Sequence, residues 1–88
     1  MISYDLQRPG QNYPELFDAI KSVGTTWWHC LESVWLVKTT LASAQVREQL
    51  RLHIDANDKI LVAALAGNWA SLGLKQECND WLSENLAR

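Results

Sequence analysis

The sequence predicts an α+β domain on three observations: an N-terminal run alternating in polarity, a central stretch dense in β-branched and aromatic residues, and segments whose apolar residues recur at helical spacing. Met1 to Leu6 carries the first signal. Ile2, Tyr4 and Leu6 fall on one face and Ser3 and Asp5 on the other, the period of a half-buried strand. Arg8-Pro9-Gly10-Gln11-Asn12 then breaks the strand, because Pro9 fixes its own φ and Gly10 accepts turn geometry.

Pro14 suits a first helical turn, Glu15 and Asp18 favour its positive end, and Leu16, Phe17, Ile20 and Val23 share one helical face. Gly24 is the expected stop. Thr25 to Thr40, TTWWHCLESVWLVKTT, is too long for one strand of a small domain and reads as two strands bent around Leu31-Glu32-Ser33. Ser43 is the expected cap of a second helix in which Val46, Leu50 and Ile54 form a stripe, ended by Asp55 to Asp58. Ile60 to Ala66 is apolar throughout, as in a strand covered on both faces. After Gly67 and Asn68, Trp69 to Leu74 is irregular, and Cys78, Trp81, Leu82 and Leu86 then recur at the spacing of a docked amphipathic helix.

Strand, helix, strand, strand, helix, strand is the order of a ferredoxin-like βαββαβ sandwich, with two helices on one face of the sheet. One domain is expected over 1–88, with the βαββαβ core in 1–66 and an extended segment plus an additional C-terminal helix in 67–88.

With 88 residues, 48% of them hydrophobic, the chain sits near the lower limit of what one core stabilises, so a homodimer is expected. Ten acidic against eight basic side chains give a net charge of −2, which argues against avid binding of polyanions. The first residues lack the basic start and long apolar stretch of a secretory signal, and no apolar run is long enough to cross a bilayer. A cytoplasmic location is therefore expected, with Cys30 and Cys78 as reduced thiols. Together with His29 and His53 they lack the paired spacing of a zinc site.

Five tryptophans are many for so short a chain, since each can bury about 150–250 Å². On a continuous strand Trp27, His29, Leu31, Ser33 and Trp35 would share one face, with Trp28, Cys30, Val34 and Leu36 on the other, so tryptophans point to both sides of the sheet. Base-stacking sheets set such aromatics among basic residues. Here the only cation nearby in sequence is Lys38, and core packing plus self-association fits better.

The stretches Ile2-Ser3-Tyr4-Asp5-Leu6, Ser33-Val34-Trp35 and Asp58-Lys59-Ile60-Leu61-Val62 resemble the small CRISPR-associated ferredoxin-like proteins of spacer acquisition and the VapD-like toxin ribonucleases. Trp27-Trp28-His29 and Asn57-Asp58, with the first of these stretches, are similar to short bacterial and phage proteins labelled SinR-like, to which no firm activity attaches. The likeness covers about residues 1 to 66. It implies a dimeric Mg-dependent endonuclease acting on RNA or DNA, in which Asp5 is both metal ligand and catalytic residue, working as a pair across a twofold axis. Ser33 would neighbour that site and Arg8 would contact phosphate. A hard cation held by one or two carboxylates plus water suits this arrangement. The segment after Asp5 departs from the family pattern, because Arg8 is its only cation where that pattern is rich in them.

The residues alone favour a simpler role for Asp5, since aspartate ends strands by accepting bonds from nearby backbone N–H groups. The alternative function is then a non-catalytic dimeric module that holds a protein partner in a phage-defence or mobile-element system, with Trp69 to Leu74 reaching the partner's sheet edge.

Overall fold

The computed structural model describes residues 1–7 and 13–86. Arg8 and the turn around it lie outside the described residues. In chain order the elements are β1 (Ile2–Asp5), α1 (Tyr13–Ser22), β2 (Thr26–Leu31), β3 (Val34–Lys38), α2 (Ser43–Arg51), β4 (Lys59–Val62) and α3 (Gln76–Asn85). The α+β class follows directly: one four-stranded antiparallel sheet, ordered β2-β3-β1-β4, and three helices.

Alternation in β1 sets the two layers. Ile2, Tyr4 and Leu6 join Trp35 and Val37 of β3 and Ile60 and Val62 of β4 on the face that meets Leu16 and Ile20 of α1 and Val46 and Leu50 of α2. This is the main core, and Ile2, Leu16, Ile20 and Leu50 are fully enclosed in it. On the other face Trp28, Val34 and Leu36 pack against Cys78 and Leu82 of α3, with Trp69, Leu74 and Trp81 around them, as a separate apolar cluster. The tail helix thus covers the second face, but only on its β2–β3 side.

Several expectations change. The strand predicted from Ile60 to Ala66 is the shorter Lys59–Val62, and it is an edge strand rather than one covered on both faces: Leu61 is 59% exposed. Backbone pairing of Met1 with Ala63 extends its contact with the N-terminus by one step. Helix α2 begins at Ser43, so its cap position is Ala42, which has no side-chain acceptor; the Gln45 side chain instead accepts from the Ala42 N–H at 2.8 Å. Gly24 ends α1 without entering the left-handed region. It is small because a Cβ there would collide with the carbonyl oxygen of Lys38, to which Thr25 N–H donates at 2.9 Å.

The strand pair bends where expected, with Leu31 and Val34 in register across Glu32 and Ser33. An irregularity between Trp28 and Leu31 shifts that register, so Leu31 moves from the face predicted for it to the side of Trp28, Val34 and Leu36. The same side brings Cys30 of β2 within a Cα separation of 6.4 Å of Cys78, inside the range a disulfide spans, and the two are bonded. This corrects the expectation of two free thiols and removes cysteine usage as an argument for a reducing compartment. Among the described residues no helix is long and apolar enough to cross a membrane.

Candidate functional site

Because α3 lies over β2 and β3, the same face of β1 and β4 stays open. Alternation puts Ser3 and Asp5 of β1 there, and the pairing of Ser3 with Leu61 and of Asp5 with Lys59 puts those two β4 side chains beside them. A shallow depression of about 250 Å³ lies here, lined by Ser3, Tyr4, Asp5, Lys59, Ile60 and Leu61. Asp5 is exposed, at the end of β1, directly across from Lys59.

The turn between β2 and β3 is fastened beside this site. Tyr4 N–H donates to the Ser33 carbonyl at 3.1 Å, and the Tyr4 hydroxyl donates to the Glu32 carbonyl at 3.2 Å while accepting from Trp35 Nε1 at 3.0 Å. Ser33 is therefore held one residue from Asp5 through its backbone, with an exposed side chain. The structure thus holds the turn residue Ser33 against Tyr4, the chain neighbour of Asp5; Arg8 is not among the described residues. Sequence reasoning passed over Lys59 and Leu61. Their signal was present, because Lys59 and Leu61 alternate with Ile60 and Val62, but the apolar run that follows masked it.

One chain gathers little else around Asp5 that could hold a cation. Among the described residues no three His, Cys, Asp or Glu side chains come together as a metal-holding group. A hard divalent ion at Asp5 would need its further oxygens from a second copy, water or a phosphate.

On the helix side a string of aromatics runs from β1 to the free edge of β2. Trp35 is buried, His29 stacks on it with centroids 3.8 Å apart at 14°, and Phe17 and Trp27 close around it at 5.7 and 5.3 Å. His29 Nε2 is 3.0 Å from the Glu32 carbonyl, so its ring is fixed by a bond as well as by the stack. Lys21 of α1 stands 4.9 Å over the Trp27 ring. Beside Lys38 of the strand pair, α1 thus supplies a second cation, which lies against the exposed tryptophan.

The other tryptophans are structural. Trp28 Nε1 donates to the Cys78 carbonyl at 3.1 Å, Trp81 Nε1 to Thr26 Oγ1 at 2.9 Å and Trp69 Nε1 to the Leu86 carbonyl at 3.3 Å. Trp69 and Leu74 therefore pack against their own sheet.

No protein-family model and no solved structure matches the chain.

Proposed function

We propose that this chain is a ferredoxin-like domain that works as a homodimeric interaction module, pairing through the open β1–β4 half of its sheet. Support for the fold reading is the connectivity: α1 joins β1 to β2, which run the same way with β3 between them, and α2 joins β3 to β4 with β1 between them. The observation that carries the function is Leu61, 59% exposed on the open sheet face next to the cross-strand pair of Asp5 and Lys59. A patch that sets one carboxylate and one ammonium beside an apolar side chain can meet a second copy of itself about a twofold axis with opposite charges paired, as an isologous interface requires. A protein partner would then be held by the dimer rather than by one chain.

The test is the oligomeric state by sedimentation, for the wild-type chain and for Leu61→Asp. A dimer that becomes a folded monomer in the variant supports the module. A wild-type chain that stays monomeric at high concentration refutes it.

A second reading, a Mg-dependent endonuclease acting on RNA or DNA as the CRISPR-associated and VapD-like resemblance implies, is favoured by one feature. Asp5 lies on that same open face, so a twofold axis there would bring a second carboxylate toward it. When bound, the metal would supply an activated water; from this chain Asp5 would hold it and Ser33 would flank it. Cleavage of labelled RNA and DNA with Mg²⁺ or Mn²⁺, lost in a dimeric Asp5→Asn, would establish this reading. No cleavage by a verified dimer would leave Asp5 as a strand-ending residue.

A further inference from the structure

The Cys30–Cys78 bond lies within the second of two separately built apolar clusters, where it links β2 to α3. Everything that fills the main core comes from β1, β3, β4, α1, α2 and the loops between them, without α3. Helix α3 rests on the second cluster, where Trp28 and Leu36 meet Cys78 and Leu82. Its own helical stability is low: it has 10 residues, its cap residue Lys75 offers no side-chain acceptor and its last turn has no cation. Among the described residues no ion pair ties it to the sheet; its polar pins to β2 are the Trp28 and Trp81 N–H bonds. The covalent link is thus what most firmly keeps a short helix on a small apolar patch.

We propose that Cys30–Cys78 is a thiol–disulfide exchange site, and that its reduction by a dithiol frees the segment 69–86 and uncovers the sheet face of Trp28, Val34 and Leu36 while the main core stays folded. Cys30, on the edge strand, is half-buried, whereas Cys78 is buried, so the Cys30 sulfur is the one an external thiolate reaches. That thiolate forms a bond to Cys30 Sγ as the S–S bond breaks, and the electron pair departs on Cys78 Sγ. The reductant's second thiol then displaces Cys30 from the mixed disulfide. Two electrons and two protons end on Cys30 and Cys78, and the dithiol leaves oxidised.

Amide hydrogen exchange read by mass spectrometry, on the full chain before and after treatment with dithiothreitol, tests this. Peptides from 69–86 are expected to exchange about tenfold faster or more after reduction, while those from α1, α2 and β4 keep their protection. The double variant Cys30→Ser with Cys78→Ser should reproduce that pattern without reductant, and reoxidation of the wild-type chain should reverse it. Protection lost together throughout the chain would overturn the proposal, because the bond would then be a staple of the whole fold. Unchanged protection in 69–86 would overturn it too, as would two thiols that alkylate fully before any reductant is added.

Discussion

The hydroxyl of Tyr13, at the start of α1, donates to Oδ1 of Asp58, just before β4, at 3.0 Å across 45 positions of sequence. The same carboxylate accepts from Gln7 N–H at 2.8 Å and, through Oδ2, from Asp55 N–H at 2.8 Å. One side chain thus ties the exit of β1, the entry of α1 and the loop after α2. Asp58→Ala would leave at least these three donors without this acceptor, and hydrogen bonds to charged groups contribute about 1.5–3 kcal/mol each where water cannot replace them. Water reaches part of this loop, so a loss of about 2–3 kcal/mol is expected, against about 1 kcal/mol for Tyr13→Phe. Urea unfolding checks both, as a lower midpoint at unchanged slope. A shift from Asp58→Ala no larger than that from Tyr13→Phe would show that the loop holds without the carboxylate.

Why parts of this fold were legible and others were not follows from range. Ile2, Tyr4 and Leu6 announce a strand, and Leu16, Ile20, Val46 and Leu50 announce helices, because each pattern is written by neighbours in the chain. Asp58 could only be read as one polar residue in a loop, since Gln7 and Tyr13, which give it its role, are far away in sequence. The same holds for Cys30 and Cys78, which meet only because α3 docks on β2, and for Leu61, whose exposure depends on which strand ends up at the edge. Alternation placed Asp5 on its sheet face; Lys59 across from it required the register.

Gly24 offers a sharper test of local geometry. Its φ is not left-handed, so the usual argument that only glycine adopts the backbone does not apply. What excludes a side chain is the Lys38 carbonyl, which a Cβ would meet at far less than contact distance. Because that atom is backbone in β3, relief requires the strand to move. Gly24→Ala is expected to destabilise by about 1–3 kcal/mol, in the range of overpacking. Gly73→Ala would meet nothing within 4 Å but must hold φ near +82°, and should cost about 1 kcal/mol. Thermal unfolding of the two variants distinguishes collision from conformational strain; equal losses would argue against the collision.

Trp35 and Trp27 face the same side of the sheet yet should behave differently. Trp35 is 2% exposed and carries the stack with His29, so Trp35→Ala should cost about 3–5 kcal/mol, as removal of a buried large aromatic does. It is therefore a probe of folding and not of association. Trp27 is 43% exposed and its ring meets Lys21 on the outside, so Trp27→Ala should cost about 1 kcal/mol. Chemical denaturation of the pair decides it, and similar losses would mean that the aromatic string is one cooperative unit.

Stability should also depend on pH through a group just before the start of β1. The Met1 ammonium donates to the Ala63 carbonyl at 2.7 Å, and burial holds its pKa below the ordinary 8.0, because desolvation disfavours the charged form. In the window below 8.0 the unfolded chain keeps this proton while the folded chain begins to release it. The unfolded state then binds more protons, and stability rises with pH across that window and levels off above it. No thiol confuses the reading, since both cysteines are bonded to each other. Denaturation measured from neutral pH to pH 9 should therefore slope upward and flatten, and acetylation of the Met1 amine should remove the slope. A profile that falls over this window, or that acetylation leaves unchanged, would mean that another group governs it.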